Sequence, residues 1–301
     1  MLICQSPLFK DVLHPTLPSS YNRRFIGPVI IEDTDQIGGD AAQSFGPDSE
    51  RKRIKEFIAS DIKRKPVYMG WGSMIRKSTQ EMALFAVEAL VMSNQRGIIL
   101  GGSAGLSLEM LERAGNSTND DDFKQIMDYA KENVIFVDKA PHEWLFSQVS
   151  LTIHHGGAGT TNAALRAGVP TIVTPVFGDQ YDNSFAVQNL GVGVGFEQQL
   201  QKISAKDLSQ AIHTVMNDPA MAMRAKEVGK QVRKECGCKA IVEEVERYWR
   251  EDVTTGKLLT GIQDWKSATK EMKSRNERKT LRNRVVLGSA LVVAIIAFLI
   301  K

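Results

Sequence analysis

The stretch LTIHHGGAGTTNAALRAGVPTIVTPVFGDQYDN, Leu151 to Asn183, decides the fold. It opens on an apolar, β-branched run with the composition of a buried strand. His154 and His155 follow, Gly156, Gly157 and Gly159 supply a turn, and a helix is predicted from Thr160 to Ala167. Gly168 stands where a left-handed residue ends a helix, and Pro170 prevents its continuation. Thr171 to Thr174 then reads as the next strand. Strand, glycine turn, helix and strand together make one unit of a parallel sheet. Such a unit presents bare backbone N–H groups and the positive end of a helix dipole at the carboxyl edge of the sheet, where a phosphate is well bound. Glycine is needed there because a Cβ would keep an anion away from the backbone.

The same alternation extends upstream. Pro66 to Gly70, Gly97 to Leu100 and Val134 to Val137 read as strands, and Met82, Phe85, Ala86, Ala89 and Leu90 mark one buried helix face. Downstream, Ser204 is a candidate N-cap for a helix burying Leu208, Ala211, Ile212, Val215 and Met216, and a last helix is expected near Ile241, Val245 and Trp249. Asn116 to Asp122 reads as a solvated acidic turn. The expected fold class is therefore α/β, a single Rossmann-like, doubly wound parallel sheet over residues 66–250, followed by a basic linker or helix at 251–284. Residues 34–65, polar and containing Gly38-Gly39, read as a linker.

Composition sets the outer bounds. With 301 residues, 43% hydrophobic and 24% charged, the chain is long and apolar enough to bury a core, which excludes disordered, collagen-like and coiled-coil classes. Three cysteines, Cys4, Cys236 and Cys238, form neither a disulfide framework nor a zinc pattern. The net charge of +3 is unevenly spread: eight basic and two acidic residues lie between Lys266 and Arg284. That run leads into VVLGSALVVAIIAFLI, residues 285–300, sixteen uncharged and mostly apolar residues, or roughly 24 Å of helix at 1.5 Å per residue. A C-terminal transmembrane anchor is expected there, with the globular part on the cytosolic side by the positive-inside rule. The basic run is explained by the adjacent membrane and implies no nucleic-acid partner. No signal peptide is expected, since a polar, Pro-containing stretch follows Cys4 at once.

The glycine spacing is neither G-x-G-x-x-G nor G-x-x-x-x-G-K-[ST], so dinucleotide-dehydrogenase and P-loop readings fall. GWGSM at 70–74, APHEWLF at 140–146, HHGGAGTTNAALRAGVP at 154–170 and FGDQYDN at 177–183 stand in one order. In that order they resemble the C-terminal, donor-binding half of a family 1 glycosyltransferase with the GT-B fold, most like the sterol 3-beta-glucosyltransferases.

The resemblance implies a UDP-sugar donor, a hexosyl transfer, no cofactor and no metal. It places Gly72, Ser73, His154, Gly156, Gly157, Gly159 and Thr160 on the diphosphate. Asp179 and Gln180 fall on the sugar hydroxyls with Asn183 assisting, and His142 in the segment that reads the base. Read singly, Ser73 is as well a helix cap, Asp179 a turn former and His142 a surface residue. Lys139 and Asn162 stand where many plant members carry Trp and Glu.

Residues 1–33 resemble only the end of the family's N-terminal acceptor domain, so the general base is expected outside this chain and no catalytic residue is assigned within it. A lipid or sterol acceptor, a membrane and a separate acceptor-domain polypeptide are the expected partners. The alternative is a membrane-anchored nucleotide-sugar-binding or scaffold protein without catalysis.

Overall fold

The computed structural model describes residues 2–13, 24–30, 46–115 and 120–273. The chain divides into two units, one of Cys4–Pro18 with Phe25–Gly237, the other of Met1–Ile3, Ser19–Arg24 and Cys238–Lys301.

The larger unit opens with α1 (Leu8–Leu13) and α2 (Asp48–Ser60). It then alternates β1 (Val67–Gly70), α3 (Thr79–Ser93), β2 (Gly97–Leu100), α4 (Leu108–Ala114), α5 (Asp120–Asn133) and β3 (Val134–Val137). A second run follows: α6 (His142–Phe146), β4 (Leu151–His154), α7 (Ala158–Ala167), β5 (Thr171–Val173), α8 (Gln180–Asn189) and β6 (Gly193–Gly195). Helices α9 (Ala205–Met216) and α10 (Pro219–Val232) close the unit.

The six strands form one parallel sheet in the order β3-β2-β1-β4-β5-β6. Strand order therefore runs outward in both directions from the β1–β4 pair, and at such a reversal the loops leaving two neighbouring strands part to opposite faces and leave a crevice. Register fixes its floor, since Gly70 lies beside both Leu100 and His154, and His154 beside Val173.

Helices cover both faces, which is why the strands are apolar on both sides. Val67, Met69, Ile99, Leu151 and Ile153 pack with α3 and α9, while Tyr68 and Ile98 pack with α2, α6 and α7. A third cluster joins Phe9 of α1 to Val173, Val187, Leu190 and Val232. Local signals match this plan. Ser204 caps α9 in a reciprocal box with Asp207, and Gly168 ends α7 at φ 70°.

Three stretches differ from expectation. Residues 34–65 are not all linker, because Asp48–Ser60 is helical with Ile54 fully buried. Its C-terminal turn is held by the Arg96 guanidinium, which donates to the carbonyls of Phe57, Asp61 and Arg64 and to Ser60 Oγ. The segment read as a remnant of another domain contributes α1, whose Phe9 is fully buried in the sheet unit. Within the acidic stretch, helix α5 begins at Asp120.

In the second unit α11 (Gly237–Tyr248) ends in a π turn at Trp249–Val253, and α12 (Lys257–Lys273) makes part of the expected basic linker helical. Arg24 pairs with Glu244 at 2.5 Å, and Arg247 spans Glu244 and Glu251. The expected membrane segment, 285–300, lies outside the described residues. Among the described residues no helix is long and apolar enough to cross a membrane.

Candidate functional site

Two loops meet over the β1–β4 reversal. After β1, Trp71 is buried and its indole N–H donates to Thr174 Oγ1 at 2.9 Å, while Gly72, at φ 63°, and Ser73 emerge to solvent. Ser73 caps no helix, since Ser78 accepts from the Glu81 amide at the start of α3. After β4 the chain turns at Gly156, φ 89°, and enters α7 through Gly157. A methyl group on Gly72 would sit 3.6 Å from the His155 ring, so the two loops face each other closely.

Gly156 permits no other residue. Beyond its positive φ, a Cβ there would lie 2.6 Å from Val173 Cγ1 and 3.1 Å from the Gln180 carbonyl. Gly159 is different: it is exposed, and nothing lies within 4 Å of where its Cβ would be. Open space therefore adjoins the first turn of α7, whose leading amides have no intrahelical acceptor. Thr160 sits half-buried in that turn.

The two histidines divide the work differently from the motif reading. His154 is fully buried, with the Gly156 amide donating to its Nδ1 at 3.0 Å and its Nε2 3.0 Å from Thr171 Oγ1. The first bond leaves Nδ1 without a proton, so Nε2 carries it and donates to Thr171. Burial, reinforced by His155 and His142, drives the pKa of His154 down to about 3. His154 thus has no nitrogen for a phosphate and cannot become cationic near neutral pH; it anchors the turn from below. His155, the next residue, is half-buried with Nδ1 unpartnered among the described residues. Burial lowers its pKa while the Asp179 carboxylate pulls it upward. A strand buried on both faces hides its last residue, while the first one beyond it is only half-buried.

Asp179 and Gln180 open α8 at the same edge. Asp179 is exposed and occupies the N-cap position without a capping bond, so its carboxylate is not spent on the turn. Gln180 is buried, and its Oε1 accepts from the amides of Val176 and Phe177 at 2.8 and 3.2 Å. Only its Nε2, unpaired among the described residues, is left for a hydroxyl.

Asn183 is fully buried and does not reach the opening: it donates to the Gly156 carbonyl at 2.7 Å and accepts from Gln5 Nε2. Its place beside a ligand is thereby corrected to one beneath the turn. Asn162 similarly donates to the Cys4 carbonyl at 3.2 Å, so residues 4–5 brace the glycine turn.

His142 is half-buried. Its Nε2 lies 3.0 Å from the hydroxyl of buried Tyr68, its ring stacks on Phe146, and burial together with His155 lowers its pKa to about 4. Among the described residues no group of three or more His, Cys, Asp or Glu could hold a metal ion.

Comparison with known proteins accords with this geometry. Residues 118–248 match the family described as erythromycin biosynthesis protein CIII-like, C-terminal domain. A sterol 3-beta-glucosyltransferase of Komagataella phaffii is 34% identical over 208 residues, 67% of this chain and 15% of that protein. Its namesake in Saccharomyces cerevisiae is 32% identical over 225 residues, 73% of this chain and 17% of that protein. The chain thus spans about a sixth of the length of these relatives. A crystal structure described as the glycotransferase of kitacinnamycin superposes with a TM-score of 0.52 at 20% identity, over 81% of this chain and 54% of that one, and shows the shared fold. With the motif order, the reversed parallel sheet and these relatives together, the chain belongs to the family 1 glycosyltransferases, as a homologue of the sterol 3-beta-glucosyltransferases that carries the family's C-terminal domain.

Proposed function

We propose that the crevice over β1 and β4 binds a UDP-sugar, UDP-glucose by preference, and that the chain is the donor-side half of a hexosyltransferase. The open first turn of α7, with space where a Gly159 side chain would stand, carries this reading. The diphosphate lies against the amides of residues 157–160, with His155 as a side-chain donor and Gly72 and Ser73 closing the opposite wall. Asp179 accepts from sugar hydroxyls and the Gln180 amide donates to them. The segment Ala140 to His142 faces the base. As the glycosidic bond to the diphosphate breaks, negative charge grows on the leaving phosphate, and fixed amides with a helix dipole stabilise it without reorganising.

The acceptor, a sterol or another lipid hydroxyl, and the base that deprotonates it belong to a second domain outside the residues described here. Residues 285–300 tether the donor half to the membrane that holds such an acceptor. Calorimetric titration of UDP-glucose into the full chain tests the donor site. Saturable binding that weakens at least about tenfold in Asp179→Ala is expected, since a charged hydrogen bond to a hydroxyl contributes roughly 1.5–3 kcal/mol. Absence of binding removes the proposal.

A further inference from the structure

Helix α12, KLLTGIQDWKSATKEMK, carries exposed apolar side chains. At 100° per residue, Leu258, Ile262 and Trp265 fall along one stripe, with Leu259 at its border. Leu259, Ile262 and Trp265 are 64%, 38% and 44% exposed, an arrangement a helix in water normally avoids. Exposed Trp249 lies in the π turn just before it.

Charge identifies the kind of partner. In the sequence of this helix Lys257, Lys266, Lys270 and Lys273 outnumber Asp264 and Glu271, and Lys266 takes a position along one border of the stripe. Five further basic residues, Arg275, Arg278, Lys279, Arg282 and Arg284, follow against Glu277 alone, and then the uncharged residues 285–300. A protein partner would be expected to meet such a face with paired acids. An anionic bilayer meets it with headgroups for the lysines and an interfacial layer suited to tryptophan.

We propose that α12 is an interfacial helix that lies along an anionic membrane surface, its Leu259, Ile262 and Trp265 side chains entering the headgroup and upper acyl region while its lysines contact lipid phosphates. The inference adds a membrane contact to the proposed function. Its test needs no nucleotide sugar, so the donor site and this surface stand or fall separately.

The full chain is bound to vesicles of phosphatidylcholine with about 30% phosphatidylserine, carrying bromine either high or low on the acyl chains. Tryptophan emission is expected to be quenched more by the shallow than by the deep label. That quenching should fall at least about twofold in Trp265→Leu, and also on omitting phosphatidylserine or raising salt from about 0.1 to about 0.5 M. An anchor at residues 285–300 alone would hold the chain on vesicles but leave quenching insensitive to Trp265, and that result overturns the proposal. So does a Trp265-dependent self-association without lipid quenching. Ile262→Glu, an independent change on the same face, should reproduce the loss with an unaltered melting temperature.

Discussion

The amide of Asn183 donates to the carbonyl of Gly156 across 2.7 Å, in a place closed to solvent. A turn that must hold φ 89° beside Val173 has few ways to be stabilised, and this bond is one of them. Asn183→Ala is therefore expected to lose about 1–3 kcal/mol of stability by orphaning a buried carbonyl, and to weaken UDP-glucose binding although Asn183 touches no ligand. Chemical denaturation gives the first quantity and calorimetry the second. Unchanged affinity in a destabilised variant would confine Asn183 to the fold.

The adjacent histidines separate binding from stability. His155→Ala should leave the melting temperature within a few degrees and cut UDP-glucose affinity by roughly tenfold, one charged or strong hydrogen bond's worth. His154→Ala should do the reverse, costing about 2–4 kcal/mol because it empties a buried site and unpairs the Gly156 amide. Paired melts and titrations decide between this assignment and the one with His154 on the phosphate.

Two glycines three residues apart should behave oppositely. Gly156→Ala meets Val173 and a positive φ and is expected to unfold or strongly destabilise the domain. Gly159→Ala meets nothing and gains about 0.5–1 kcal/mol in helix propensity. Its methyl group stands where the diphosphate is proposed to lie, so a more stable protein with weaker nucleotide binding is the expected outcome. A rise in both would move the ligand elsewhere.

Acid should weaken the fold through its buried histidines. His154 and His142 have folded pKa values of about 3 and about 4, below the ordinary value near 6.5. At these two sites the unfolded chain therefore binds more protons than the folded one as pH falls below 6.5, and the stability they contribute above that point declines down to about pH 3. Melting temperatures recorded from pH 7.5 to 4.5 should show this slope, and His154→Asn should flatten it while lowering the plateau.

Much of the sheet was legible from residues 66–174, where short β-branched runs alternate with glycine turns and strand ends need no tertiary information. Helices α8 and α10 went unread, and α2 was taken as linker because DSERKRIKEFIAS is highly charged and shows only Ile54, Phe57 and Ile58 as an apolar stripe. The site was legible as a place rather than as a set of contacts. Motif spacing named Gly72, the α7 turn and Asp179, which the fold brings to one edge of the sheet, but Asn183 and His154 look like ligand residues by type and turn inward by burial. Gln5 carried no sequence signal at all, because its partner lies 178 residues away.

That separation has a consequence for how the protein comes to be folded. The brace from Gln5 to Asn183, and the packing of Phe9 against Val187 and Val232, require the chain as far as Val232 before residues 5–9 can dock. On a ribosome the amino-terminal arm must wait, unpaired, until α8 and α10 have emerged, and closure of so long a loop makes it a late event. An expression boundary drawn at the first sheet strand, tempting from the domain's appearance, would omit that arm and leave the nucleotide-side turn without its keystone.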